Sequence, residues 1–141
     1  MAEASPWIAV VDDDPAVLKA LSRLLRSRAF RAQTYGSAKE FLVALPAGLP
    51  VCLIVDLQMP EMNGLELQRH LISNGIKIPT ILITAHAEAA LQEASDKGTP
   101  VASLRKPLQE EALFSAIETA IGSSRNAELK LGAPPLHEKD I

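Results

Sequence analysis

Short apolar runs alternate along the chain with longer segments in which apolar residues recur at helical spacing. Several of the short runs are continuously apolar, which is typical of strands buried on both faces of a parallel sheet. The pattern predicts five strands, at residues 7–11, 31–34, 51–55, 80–83 and 101–104, of which the second is the least apolar.

Capping signals between the runs predict where the helices begin and end. Asp14-Pro15 supplies an N-cap followed by proline at the first helical position. Ser37 and Asn63 are each followed by a glutamate in capping-box position, and Asn74-Gly75 is a typical helix stop. Two further helices are predicted at 88–97, which is Ala-rich with a weak apolar stripe, and at 109–121.

Alternation of five strands with five helices predicts a three-layer α/β/α sandwich around a parallel sheet. The chain changes character after about Gly122, where Ser-rich and Pro-rich segments follow. We therefore expect one domain over residues 1–121 and a tail or linker over residues 122–141.

Composition and charge narrow the class of protein. The chain has 141 residues, of which 48% are hydrophobic and 22% charged, as in ordinary globular proteins. Its net charge of −3 gives no electrostatic reason to expect nucleic-acid or anionic-membrane binding. No segment approaches the roughly 20 apolar residues needed to span a bilayer, and the amino terminus does not resemble a signal peptide, so we expect a cytoplasmic protein.

The single cysteine, Cys52, lies inside an apolar run, where a buried hydrophobic residue is a better interpretation than a reactive thiol. With one cysteine, no intrachain disulfide can form. His70, His86 and His137 do not have the spacing of metal ligands.

Polar residues follow four of the predicted strands, and these are the candidate site. They are Asp12-Asp13-Asp14, Asp56, Thr84 and Lys106. In an open parallel sheet, ligands bind outside the carboxyl ends of the strands, so these side chains are expected to converge. Carboxylates in one crevice repel each other unless a cation lies among them, and Mg²⁺ prefers oxygen ligands of this kind. One carboxylate could then act as a nucleophile toward phosphorus, with an ammonium and a hydroxyl stabilising the transferred group.

Taken singly, each feature has a plainer interpretation. An aspartate run before a helix is more often only a turn and a cap, as Asp14 is expected to be here. Asp56 could be a loop residue, Thr84 could simply end its strand, and Lys106 could be a solvated residue before a helix. Their occurrence together, each at a strand end, makes coincidence a poor explanation.

The motifs resemble those of response-regulator receiver domains, over roughly residues 7–121. Residues 8–14 are similar to the first strand and acidic pair of that family, and residues 53–64, which read LIVDLQMPEMNG, are similar to its phosphoacceptor strand and loop. Residues 81–85 and the pair Lys106-Pro107 resemble the remaining signatures. The likeness is greatest to receivers of the nitrogen-fixation and nodulation type.

The resemblance implies a fold, a set of site residues and partners. The fold would be that of the chemotaxis receivers, with strand order 2-1-3-4-5. Asp56 would accept a phosphoryl group from a sensor histidine kinase, and Thr84 and Lys106 would contact that group. Asp12, Asp13, Asp56 and the backbone carbonyl of Gln58 would bind Mg²⁺. Such a domain signals and catalyses only its own phosphorylation and dephosphorylation.

The resemblance leaves several matters open. Gln58 and His86 lie at positions whose residues, in this family, affect how long the phosphoryl group remains on the aspartate. The downstream partner could be a missing output domain or another protein, and a homodimer is a further alternative.

The chain departs from the family near its last strand. Ser103 stands where an aromatic residue usually changes rotamer on phosphorylation, and the preceding segment 97–101 is one residue longer and contains Pro100. A serine cannot bury or expose the area of a ring, so the usual threonine–aromatic coupling is expected to be absent while the phosphorylation chemistry remains.

Rival functions are less well supported. A phosphohydrolase would need a second aspartate where Gln58 stands, a nucleotide-binding domain would need a glycine-rich loop after the first strand, and an EF-hand would need alternating acidic positions. A receiver-shaped interaction module that does not switch remains as the stronger rival, and only the altered segment 98–103 favours it.

Overall fold

A computed structural model describes residues 6–84 and 102–131, and of residues 123–131 it describes only the backbone. It contains a five-stranded sheet of order β2-β1-β3-β4-β5, in which every neighbouring pair is parallel. This confirms the predicted fold class and strand order. The order places β1 and β3 side by side at the centre, at the point where the chain reverses its direction of progress across the sheet.

The strands lie within one residue of the predicted positions. They are β1 (Trp7–Val11), β2 (Arg31–Tyr35), β3 (Cys52–Asp56), β4 (Thr80–Thr84) and β5 (Ala102–Arg105). Four of them end one residue later than the apolar pattern indicates. The reason is that a sheet ladder is made by backbone groups, so a polar side chain at the carboxyl end does not stop the pairing.

The helices begin at the predicted caps. They are α1 (Pro15–Ser27), α2 (Ala38–Ala44), α3 (Gly64–Ser73) and α4 (Glu110–Leu131), and a short 3-10 turn, Leu45–Ala47, follows α2. The Asp14 side chain accepts a hydrogen bond from the backbone N–H of Ala16, and Asn63 forms a complete capping box with Glu66. Helix α3 ends at Asn74 and Gly75, and Gly75 has a φ of 76°, a conformation that glycine adopts without strain.

Helix α4 is longer than the sequence predicts, because it continues ten residues beyond Ile121 to Leu131. The expected break at Gly122 does not occur. A single glycine costs a helix only about 1 kcal/mol relative to alanine, and the following residues include good helix formers. The predicted helix at 88–97 lies outside the described residues.

Helices cover both faces of the sheet and create two apolar clusters, which confirms the three-layer architecture. On one face the side chains of α2 and α3 pack on alternate residues of β1, β3 and β4; this cluster contains Val11, Phe41, Val55, Leu71 and Leu82, among others. On the other face α1 and α4 pack on the intervening residues; this cluster contains Ile8, Leu25, Ile54, Leu113 and Ile117, among others. The strand period of two explains the division.

Arg28 and two phenylalanines connect the end of α1 to the start of α4. The Arg28 guanidinium lies 4.1 Å from the ring centroid of Phe114 and 2.9 Å from a carboxylate oxygen of Glu110. The rings of Phe30 and Phe114 are stacked at 6.0 Å. These contacts fix α4 against the helix on its own side of the sheet.

Cys52 lies in β3 and is fully buried, as the sequence indicates. Burial raises the pKa of its thiol to about 12, which keeps the group protonated and unreactive at neutral pH.

None of the helices in the described part of the chain combines the length and the apolar character that a bilayer-spanning helix requires.

Candidate functional site

Register brings two aspartates together at the carboxyl edge of the sheet. Val11 of β1 is paired with Val55 of β3, so the next residues, Asp12 and Asp56, are neighbours where the two central strands end. One carboxylate oxygen from each of Asp12, Asp13 and Asp56 lies within 4.8 Å of the others. Three acidic side chains therefore surround one small volume at the point where the strand order reverses.

Asp12 is the most buried member of this cluster, with 1% of its surface exposed. Its Oδ1 accepts a hydrogen bond of 2.9 Å from the backbone N–H of Asp14, whereas its buried Oδ2 has no hydrogen-bond donor in the described part of the chain. Burial raises the pKa of this carboxyl, the negative charge of Asp56 adds to the increase, and the Asp14 amide and Lys106 oppose it. The site thus holds a carboxylate whose charge is incompletely compensated.

Lys106 extends from the end of β5 toward both central carboxylates. Its Nζ lies 3.4 Å from Oδ2 of Asp56 and 3.7 Å from Oδ2 of Asp12. The other oxygen of Asp56, Oδ1, accepts a 3.1 Å hydrogen bond from the backbone N–H of Gln58. Asp56 is 5% exposed, and these two contacts hold both oxygens of its carboxylate.

Backbone hydrogen bonds fix the strand ends that carry these side chains. The N–H of Leu57 donates to the carbonyl of Ile83, and the N–H of Lys106 donates to the carbonyl of Thr84. Thr84 is fully buried at the end of β4, between the strands that carry Asp56 and Lys106. The peptide bond between Lys106 and Pro107 is cis.

Gly64 is a supporting residue whose role sequence reasoning missed. Its N–H donates to the carbonyl of Leu57, and a Cβ at this position would lie 2.8 Å from the backbone oxygen of Asp56 and 2.9 Å from a methyl carbon of Leu82. The absence of a side chain lets α3 begin directly against the loop after β3. The sequence contains the pair Asn63-Gly64, but from the sequence this pair predicted only a helix cap and not the close approach of α3 to Asp56.

The structure therefore brings together Asp12, Asp13, Asp56 and Lys106. Thr84 lies at the adjoining strand end, and Gln58 contributes its amide to Asp56. His86 and segment 97–101 lie outside the described residues. The chemical roles expected of these residues stay predictions.

The donor set suits a hard divalent cation. Three carboxylates within 4.8 Å offer oxygen ligands only, and the buried Oδ2 of Asp12 has no hydrogen-bond donor among the described residues. A small cation there would offset the repulsion between Asp12 and Asp56. Asp56 itself is nearly buried, and only a small part of its surface reaches solvent at this edge of the sheet.

Comparison with known proteins identifies the family that these features resemble. A family model described as "Response regulator receiver domain" matches residues 8–118. Response regulator protein TmoT of Ectopseudomonas mendocina is 40% identical over 131 residues, which are 93% of this chain and 59% of that protein. Transcriptional regulatory protein FixJ of Rhizobium meliloti is 35% identical over 111 residues, which are 79% of this chain and 54% of that protein.

Solved structures agree with the sequence matches. A response regulator receiver protein from Burkholderia phymatum is 42% identical, has a TM-score of 0.69 and covers 84% of this chain and 96% of its own. The structure named FixJ-N is 33% identical with a TM-score of 0.74, and covers 85% of this chain and 96% of its own. The chain spans between half and three fifths of the length of the curated relatives it matches.

Proposed function

Because the chain belongs to the response regulator receiver family, we propose that it is a phosphoacceptor whose Asp56 takes a phosphoryl group from a sensor histidine kinase in the cytoplasm. The observation that carries the proposal is the position of Asp56: a carboxylate at the end of a buried strand, in contact with Lys106 and beside two further carboxylates. Both oxygens of this carboxylate have a contact, which limits its orientation.

The transfer needs one nucleophilic oxygen, and Asp56 supplies it. A carboxylate oxygen of Asp56 forms a bond to phosphorus while the bond from phosphorus to the donor's histidine nitrogen breaks, and that nitrogen keeps the electron pair. The N–H of Gln58 holds Oδ1 of Asp56, and Lys106 approaches Oδ2. These contacts limit rotation of the carboxylate before the reaction.

Mg²⁺ is the cation we propose for the acidic cluster. Asp12, Asp13 and Asp56 would hold it, with the carbonyl of Gln58 as a further ligand. When bound, it supplies positive charge beside the transferring phosphoryl group. The proposal is supported by the all-oxygen donor set and by the charge of Asp12, which Lys106 alone does not compensate.

Lys106 and Thr84 complete the proposed site. Lys106 is a point charge within 3.7 Å of both central carboxylates. During the transfer, negative charge moves from the Asp56 carboxylate to the phosphoryl oxygens, and the Lys106 ammonium can stay close to that charge. The Thr84 hydroxyl, at the adjoining strand end, is proposed to donate a hydrogen bond to the same group.

Asp12→Asn is expected to stabilise the protein when divalent cations are absent. Folding raises the pKa of Asp12, so the ionised carboxylate opposes folding, and this penalty grows as pH rises from the ordinary aspartate pKa through the folded-state pKa. At neutral pH the variant should unfold at a melting temperature roughly 4 °C higher, which corresponds to about 1 kcal/mol. At a pH below the ordinary aspartate pKa this advantage should disappear.

Added Mg²⁺ should make the wild type more stable than Asp12→Asn. The wild-type melting temperature should rise with Mg²⁺ concentration, because a ligand that binds only the folded state stabilises it. Asp12→Asn should respond much less. Thermal melts with and without Mg²⁺, and with chelator, measure both effects. An equal response of the two proteins to Mg²⁺ would remove Asp12 from the proposed metal site.

The proposed function itself is tested by intact mass after incubation with acetyl phosphate. A carboxylate oxygen bonds to phosphorus as the phosphorus–oxygen bond to acetate breaks, and acetate leaves with the electron pair. We expect one phosphoryl group per chain in Mg²⁺ and none in chelator, with peptide mapping locating it on Asp56. An unchanged mass in Mg²⁺ would favour the receiver-shaped module that does not switch.

A further inference from the structure

The loop between β3 and α3 contains a residue with an uncommon backbone conformation. Glu61 has a φ of 71°, in the left-handed region that residues other than glycine rarely adopt. The N–H of Met62 donates a 2.8 Å hydrogen bond to the carbonyl of Pro60, two residues earlier. A hydrogen bond of this span around a positive φ forms a γ-turn, which is rare and strained. Glu61 is exposed, so burial of its side chain does not explain why the strain is retained.

Two backbone hydrogen bonds close this loop at different levels. At its base, the N–H of Gly64 donates to the carbonyl of Leu57 at 3.1 Å. At its tip, the γ-turn joins Pro60 to Met62. The side chains of Leu57 and Met62 pack against the same apolar cluster, on the face covered by α2 and α3. Gln58 lies between the two closures, so the conformation of the tip limits the positions that its backbone can take.

Gln58 is the residue of this loop that contacts the proposed site. Its N–H donates a 3.1 Å hydrogen bond to Oδ1 of Asp56, and its carbonyl is the further Mg²⁺ ligand proposed above. Both groups belong to the backbone of one residue, so a rotation of that backbone moves at least one of them. The side chain of Gln58 is exposed. Its backbone is therefore held by the closures of the loop and not by burial of its side chain.

We propose that Glu61 is a positioning residue, whose γ-turn holds the backbone of Gln58 against Asp56 and directs the Gln58 carbonyl toward the proposed Mg²⁺ site. This inference rests on the proposed phosphoacceptor function of Asp56. Strained backbone persists where the surrounding structure maintains it, and such residues are frequent beside functional sites. Glu61 acts through its backbone conformation alone. A residue that accepts a positive φ should therefore replace it, and a residue that does not should disturb Gln58.

The test compares Glu61→Gly with Glu61→Val. Both substitutions remove the carboxylate, but glycine adopts a positive φ freely, whereas β-branched valine strongly disfavours it. The affinity for Mg²⁺ is measured from the rise in melting temperature with Mg²⁺ concentration. Glu61→Gly should bind Mg²⁺ within about twofold of wild type. Glu61→Val should bind it roughly tenfold more weakly, because loss of a group that orients a metal ligand has an effect of that size.

Ala29 provides a matched control, because it is exposed and has a φ of 69° at the end of α1. It lies about 20 Å along the helix from Asp14, at the end away from the site. Ala29→Val and Glu61→Val should each melt roughly 5 °C below the corresponding glycine variant. The two Ala29 variants should bind Mg²⁺ equally. Equal Mg²⁺ affinities of Glu61→Gly and Glu61→Val would mean that the turn affects stability only, and would overturn the proposal.

Hydrogen exchange at the Gln58 amide tests the positioning in the absence of metal. In chelator, this amide should exchange several-fold faster in Glu61→Val than in Glu61→Gly, because its hydrogen bond to Asp56 would be formed for less of the time. Equal exchange rates would contradict the role of Glu61. If wild type does not bind Mg²⁺, the proposed metal site is wrong, and exchange at Gln58 still decides whether Glu61 positions that backbone.

Discussion

Asp56→Asn is expected to take up no phosphoryl group from acetyl phosphate in Mg²⁺. The amide of asparagine is a very poor nucleophile toward phosphorus, and removal of a nucleophile lowers rates by several orders of magnitude, so a loss of at least roughly 100-fold is expected. The substitution keeps the side-chain shape and leaves an oxygen that can accept the hydrogen bond from the Gln58 amide. The fold should survive, as measured by circular dichroism and thermal melting.

Asp14→Asn is the matched control for this experiment. Asp14 is exposed, and it caps α1 through its hydrogen bond from Ala16. Asparagine caps helices as well as aspartate does, so α1 should remain intact. The control removes one negative charge two residues from Asp12 and should be phosphorylated like wild type. Full uptake by Asp56→Asn, at a single position, would mean that another residue is the acceptor.

Gly64→Ala is expected to damage both the stability of the domain and the geometry of Asp56. The added methyl would lie 2.8 Å from the backbone oxygen of Asp56 and 2.9 Å from a carbon of Leu82, both too close for real contacts. Because one of these neighbours is backbone, the start of α3 or the end of β3 must move. Overpacking of this kind costs about 2 kcal/mol, or a fall of roughly 5–10 °C in melting temperature.

Gly122→Ala is the control, because it should change the stability of the domain in the opposite direction to Gly64→Ala. Gly122 lies inside α4, and no atom of the described residues is within 4 Å of the position that its Cβ would take. Alanine there should stabilise the helix by about 0.5–1 kcal/mol and leave phosphorylation unchanged.

Gly64→Ala should also phosphorylate more slowly than wild type at a temperature where both are folded. A Gly64→Ala protein with wild-type stability and wild-type rate would contradict the close approach described here.

Local patterns were sufficient to predict most of the fold. The continuous apolar runs identified β1, β3 and β4, because strands buried on both faces need apolar residues at nearly every position. The caps at Asp14 and Asn63 identified the helix starts, because side-chain acceptors there satisfy backbone N–H groups. The order of the strands in the sheet could not be predicted from local patterns. Periodicity cannot specify which strands are neighbours, and the order followed only from resemblance to a family.

Long-range contacts account for what the sequence did not predict. Convergence of the carboxylates was expected because parallel strands end at one edge, but the approach of α3 to Asp56 at Gly64 depends on the packing of two distant segments. The stacking of Phe114 on Phe30 likewise joins residues far apart in sequence. Helix α4 exceeded its predicted length because the end was inferred from a glycine, which weakens a helix without stopping it.

The sole thiol of the chain has a practical consequence for spectroscopy. Cys52 lies in the middle of the sheet with no exposed surface, and its raised pKa keeps it protonated. A maleimide dye or a nitroxide spin label can therefore be attached at a cysteine introduced on the surface, for example on α1 or α2, while the natural residue is retained. Distances across the domain could then be followed during signalling in a protein that differs from wild type only at the labelled positions.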